Sequence, residues 1–132
     1  YYEDVNGNEQ LRPMERADFE NCIIYGKFES EIGIEESENT TFNYKFNNCL
    51  IKLIESDYDI SNTTHFSNNI INENPEFIQT MNLFEYNYEL DTLSAAQNSA
   101  ASNIALQFEY DLNGNYRFTD GSPDIGAYER IE

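Results

Sequence analysis

Hydrophobic and polar residues alternate with a period of two in three places along the chain. The runs are Phe42-Asn43-Tyr44-Lys45-Phe46, Phe84-Glu85-Tyr86-Asn87-Tyr88-Glu89-Leu90 and Phe108-Glu109-Tyr110-Asp111-Leu112. Successive side chains of a strand point to opposite faces, so each run collects its aromatics on one face and predicts a half-buried strand. The segments between them are rich in Asn, Ser, Thr, Asp and Glu, which is the chemistry of turns. Helical spacing is nearly absent, and a short helix is expected only within residues 98–106. The class expected is all-β.

A longer period lies over the short one. Phe19-Glu20-Asn21-Cys22-Ile23-Ile24 returns 27 residues later as Phe46-Asn47-Asn48-Cys49-Leu50-Ile51, and 20 residues after that, more loosely, as Phe66-Ser67-Asn68-Asn69-Ile70-Ile71. Intervals of this size are those of stacked repeat architectures, in which each turn of chain places the same residue at the same point of a wall. Each unit reads as strand, bend, strand. Phe19 points inward, and Asn21 takes the bend, because Asn tolerates the left-handed backbone region and can hydrogen-bond its counterparts in the next coils. Beyond the bend, alternation turns Cys22 and Ile24 inward and leaves Ile23 and Tyr25 outside. At a strand spacing of about 4.8 Å, Phe19/Phe46/Phe66 and Ile24/Ile51/Ile71 would stack in register on parallel strands.

Composition narrows the function classes. Twenty-five acidic residues against seven basic ones give a formal charge of −18, the wrong sign for displacing counterions from nucleic-acid phosphates. The same field repels polyanionic glycans. Nine Phe and ten Tyr are too many aromatics for a disordered acidic tail, so the acidity reads as a solvated exterior. No apolar run approaches the roughly 20 residues that span a bilayer, and no membrane insertion is expected. With 132 residues, the chain suits one domain with one modest core. It opens at Tyr1-Tyr2 without an initiating methionine, which reads as a boundary with sequence upstream.

The repeat units are also where the chain resembles a known group. Phe19-Glu20-Asn21-Cys22-Ile23-Ile24-Tyr25-Gly26 is similar to the coils of pectate-lyase-like right-handed parallel β-helix proteins of bacterial surfaces. Asn74-Pro75-Glu76-Phe77 resembles the turn that follows their last regular coils. Tyr88-Glu89-Leu90 and Ser94-Ala95-Ala96-Gln97-Asn98 resemble the strand and turn that come next, with Ala95, Gln97 and Ala100 departing from the pattern. Asp111-Leu112-Asn113-Gly114-Asn115-Tyr116-Arg117 and the closing Pro123-Asp124-Ile125-Gly126-Ala127-Tyr128-Glu129 resemble the elements with which such chains end. The resemblance implies a solenoid: repeating coils over about 19–78, then terminal strands and an irregular cap over 79–132, with Glu132 near the C-terminus. It also implies upstream coils of the same chain as a packing partner, and an extracellular or bacterial cell-surface location. It implies no single activity, since one scaffold carries many functions.

Candidate chemistry is sparse. Asp111, Asn113 and Asn115 alternate like calcium ligands around Gly114. A calcium loop of the EF-hand type, however, needs glycine at the sixth position and a bidentate Glu at the twelfth, where this chain has Ser122. The favoured reading is a polar turn whose carboxylate accepts backbone N–H groups. His65 is the only histidine and lies in a polar stretch, where a histidine is ordinarily solvated. Asp57, Asp59, Asp120 and Asp124 sit in loop-like contexts, and Arg117 is expected to pair with Asp124 or Glu129 to lock the cap. Tyr25, facing outward, could stack on a sugar ring or simply cover the wall. Cys22 and Cys49 repeat with the coil and match no zinc spacing, so two reduced, buried thiols in contact are expected.

The expectation is therefore a right-handed parallel β-helix fragment with no catalytic, cofactor-binding or metal residues of its own. Its function would be that of a non-catalytic module of a secreted or surface protein, with neutral glycans as the partner class the charge allows. Two alternatives remain: the tail of a polysaccharide lyase or glycoside hydrolase whose catalytic residues lie upstream, and an adhesin-like stalk.

Overall fold

The computed structural model describes residues 2–81 and 84–131. Strands β1 (Tyr2–Glu3) and β2 (Glu9–Gln10) form an antiparallel pair around a turn in which the Asp4 carboxylate accepts the N–H groups of Asn6 and Asn8. Six short strands then come in three pairs. These are β3 (Asp18–Glu20) with β4 (Ile23–Ile24), β5 (Lys45–Asn47) with β6 (Leu50–Ile51), and β7 (Phe66–Ser67) with β8 (Ile70–Ile71). One parallel sheet runs β3-β5-β7 and a second runs β4-β6-β8. Strands β9 (Phe77–Gln79) and β10 (Asn87–Leu90) pair antiparallel with a register shift between them, and a single helical turn, α1 (Ser102–Ala105), falls inside the stretch where a helix is expected.

The register of the parallel strands is the one the sequence offsets predict. Phe19 pairs with Phe46 and Phe46 with Phe66, while Ile24 pairs with Ile51 and Ile51 with Ile71. The Phe19 and Phe46 rings stack at 4.8 Å and those of Phe46 and Phe66 at 5.5 Å. Between the paired strands, Asn21, Asn48 and Asn68 take φ values of 53°, 50° and 53°. This is the left-handed region, where Asn is among the few residues that sit at low cost.

The right-handed parallel β-helix itself is not what the chain forms. Among the described residues the strands are two to four residues long and lie in four separate sheets, two of them antiparallel pairs, and no sheet closes or runs on as a solenoid. The physical reason lies in the spacing. Successive units are 27 and then 20 residues apart, so they share no common turn length, and the motif stops after three rungs. Immediately beyond, the chain turns at the buried Pro75 and pairs β9 antiparallel with β10.

The assignment of faces needs correction in the same region. Cys49 and Ile51 do enter the core formed with Phe46, Leu53 and Phe66, and Cys22 and Ile24 pack against it. Phe19, expected inside, is 41% exposed, because β3 is an edge strand whose ring has a neighbour on one side only. Ile23, expected outside, is covered, as are its counterparts Leu50 and Ile70: Leu50 is 0% exposed and forms a second core with Leu90, Ala96 and Ile125. The β4-β6-β8 wall is therefore buried on both faces, the second by the C-terminal third of the chain. The Asn21 and Asn48 side chains serve this second layer and do not bond each other. Asn21 Nδ2 donates to the Ala101 carbonyl (3.1 Å) and accepts the Ala101 N–H at Oδ1 (2.7 Å), and Asn48 Nδ2 donates to the Ser99 carbonyl (3.2 Å).

The third alternating run, 108–112, forms no strand beyond an isolated bridge between Tyr110 and Tyr116, and its pattern is inverted. Phe108, Tyr110 and Leu112 are exposed, while Asp111 between them is buried. The Asp111 carboxylate accepts the Asn115 N–H (2.7 Å), the Asn115 side-chain amide (3.1 Å) and the Glu129 N–H (2.8 Å). That set of bonds ties it to the chain end and turns the aromatic face to solvent. Both cysteines are free: Cys49 is buried as expected, whereas Cys22 is only half-buried at the edge rung. The neighbouring Cys22 thiol, and then burial, push the Cys49 thiol above its ordinary range. Glu132 lies outside the described residues.

Candidate functional site

The seam where the C-terminal segment meets the β4-β6-β8 wall is incompletely filled, and it opens as a groove. Its floor is apolar: Ile23 from β4, lying over the buried Leu90 at the end of β10 and the buried Ile125. Tyr25, Phe77 and Tyr88 line its middle, and Leu112 and Tyr128 line it on the C-terminal side. This compartment measures about 380 Å³. A second compartment of about 520 Å³ shares Tyr25, Phe77 and Tyr88 and continues past Lys27, Asn74 and Glu76 to Thr80 and Tyr86. Both volumes lie in the range of small-molecule sites, which are typically apolar and aromatic with a few convergent polar groups.

Local sequence explains the position of each wall. Alternation in β10 sends Asn87 and Glu89 to one side, where the Asn87 side chain accepts the Glu89 N–H (2.9 Å), and Tyr86 and Tyr88 to the other. The two tyrosines are 51% and 48% exposed, and their rings lie 5.9 Å apart and 16° from parallel. Phe77 meets Tyr88 edge to face at 5.3 Å, a geometry aromatic pairs favour, and this fixes the Tyr88 ring from behind. Opposite them, Lys52 Nζ sits 5.1 Å over the Tyr25 ring and donates to the Gly26 carbonyl (3.0 Å), which holds Tyr25 in place.

Gly126 closes the seam. Its N–H donates to the Asn21 carbonyl (3.0 Å), its φ is +109°, and a Cβ there would stand 2.8 Å from Ile23 Cδ1. Only glycine satisfies both the backbone angle and the close approach to the wall.

Behind the seam is a buried polar knot. Arg117 lies 3.5 Å from Glu129 Oε2 and donates to the carbonyls of Gly126 (3.0 Å) and Asp124 (3.4 Å), so the expected cap-locking pair is Arg117 with Glu129. Glu129 Oε2 also accepts the Asp124 N–H (3.1 Å), while Oε1 is buried with no hydrogen-bond partner. Burial, above all, raises the Glu129 carboxyl to about 7 and pushes Asp124 up as well. For Asp111, burial pushes upward but the bonds from Glu129, Asn115 and Asn113 outweigh it, and its carboxyl is held below the usual range.

The residues singled out from sequence divide sharply. Asp111, Asn113 and Asn115 form a turn in which Asp111 accepts N–H groups and Asn113 Nδ2 donates to Glu89 Oε1 (2.6 Å). His65 is half-buried, where a solvated histidine was expected. It stacks on Tyr44 at 4.1 Å, and its Nδ1 donates to the Tyr44 carbonyl (2.9 Å). Of the residues read as possible ligand contacts, Tyr25 alone lies in the groove. Phe77, Tyr86, Tyr88 and Tyr128 join it there; alternation over 84–90 places the two tyrosines on one strand face but does not show that this face opens onto a groove.

No family model, no curated protein and no solved structure matches the chain, and no family assignment comes from these comparisons. Among the described residues no helix is long and apolar enough to cross a membrane.

Proposed function

We propose that this chain is a non-catalytic binding module whose aromatic groove takes a neutral glycan. The observation that carries the reading is the pair of half-exposed, near-parallel rings of Tyr86 and Tyr88, facing Tyr25 in a groove that also holds Lys27, Asn74, Glu76 and Thr80. The C–H faces of a sugar ring are apolar and pack on aromatic faces, while its hydroxyls need polar partners at the edge. The charge of −18 favours an uncharged ligand over a polyanionic one. Binding without turnover is supported by the groove chemistry. Glu76 is the one carboxylate among the lining residues described, whereas glycoside cleavage ordinarily uses two, about 5–9.5 Å apart.

A glycan array followed by calorimetric titration tests the reading. Neutral oligosaccharides are expected to bind, and Tyr88→Ala is expected to weaken them at least about tenfold while leaving the parallel strands folded. The reading fails if no glycan binds above background, or if binding is indifferent to both Tyr88→Ala and Tyr86→Ala.

A further inference from the structure

The two compartments of the groove differ in chemistry, and we infer that the apolar one selects a sugar bearing a methyl group, an N-acetyl or a 6-deoxy substituent, over the fully hydroxylated parent. This inference rests on the glycan reading and adds the class of sugar. The polar compartment offers Lys27, Asn74, Glu76 and Thr80 beside the Tyr86 and Tyr88 rings. The apolar compartment has no charged residue among those described as lining it. Its aliphatic surface comes from Ile23 and Leu112 over the buried Leu90 and Ile125, and its polar side-chain groups are tyrosine hydroxyls.

A plain hexose carries a hydroxyl on nearly every ring carbon. Seated on an aliphatic floor, some of those hydroxyls would lose water without gaining a partner, which is unfavourable. A methyl group placed there displaces water from apolar surface and leaves no polar group unsatisfied. Because Tyr25, Phe77 and Tyr88 line both compartments, one ligand can lie across them, with a ring against the tyrosines and the methyl against Ile23 and Leu112. The aliphatic compartment is thus the selective end, and the tyrosine pair is the general one.

Matched pairs separate the two roles: β-1,4-linked N-acetylglucosamine oligomers against glucose oligomers of the same linkage and length, and 6-deoxy sugars against their parent hexoses. In at least one pair the methyl-bearing member is expected to bind about tenfold or more tightly, within the discrimination an apolar pocket gives against an added hydroxyl. Leu112→Asp tests the source. Leu112 is largely exposed, so the fold tolerates the change, and the preference is expected to fall to about twofold or less. Tyr88→Ala weakens both members alike. Equal binding of both members in every pair, or preference for the parent sugar, overturns this inference and leaves the glycan reading standing. Absence of binding to any glycan overturns both.

Discussion

The parallel strands and the C-terminal segment packed on them bury different chemistry. The rungs between Asp18 and Ile71 bury Phe46, Cys49, Leu50, Ile51, Leu53 and Phe66. The segment from Leu90 onward adds few large apolar groups, but it contains the four buried polar or charged residues among those described: Ser94, Asp111, Asp124 and Glu129. The first region is held by stacking like on like, which depends on area removed from water and little on angle. The second is held by hydrogen bonds with fixed partners, and it bears the cost of burying carboxylates. The groove lies where these two kinds of packing meet, and the segment between them supplies Phe77, Tyr86 and Tyr88 to its walls.

The comparison breaks first at Leu50, which belongs to the ladder and is buried by the C-terminal segment. Leu50→Ala is expected to cost about 3 kcal/mol in urea unfolding, within the usual range for a fully buried leucine. Leu106→Ala, exposed beside α1, is expected to cost within about 0.5 kcal/mol. Equal costs at the two sites would mean that the wall is not covered on its second face.

The pH dependence sharpens the contrast. Glu129 has a folded-state pKa of about 7 against an ordinary 4.5, so the folded state holds its proton more tightly than the unfolded chain does. Its stabilising contribution is complete below about 4.5 and is lost as pH rises through about 7. Asp124 is raised and acts in the same direction, while Asp111 is lowered and acts oppositely, its contribution lost only as pH falls below the ordinary carboxyl range. Thermal stability is therefore expected to rise as pH falls from 8 to about 5, by no more than about 3 kcal/mol from Glu129. Glu129→Gln is expected to flatten that slope. A slope unchanged in Glu129→Gln would show that the buried carboxyl does not set it.

The ladder was legible in sequence because identical side chains repeat at one position of each unit. The offset of Phe19 to Phe46 fixes the register, and Asn at the bend fixes the backbone angle. The architecture was not, because three rungs of unequal length do not specify a continuing solenoid. The groove was hidden for a related reason. Alternation shows that Tyr86 and Tyr88 share a face, but not whether that face meets a core or solvent. The 108–112 run shows how far this can mislead: its aromatics alternate as cleanly, yet Asp111 goes inside because its bonding partners arrive from Asn115 and Glu129. Period-2 patterns report pairing of faces, and buried polar networks decide which face wins.

The most direct measurement is amide hydrogen exchange in Gly126→Ala, since the added methyl meets Ile23 where the C-terminal segment docks on the wall. Exchange is expected to accelerate at Ala100, Ile125 and Gly126's replacement, whose N–H groups bond Pro123, Ala96 and Asn21, with loss of glycan binding. The amides of Phe46, Asn48 and Leu50, which bond within the ladder, should stay slow. Unchanged exchange across 96–126 with binding retained, or equal acceleration throughout the chain, would contradict the account of a ladder closed by a separately held segment at Gly126.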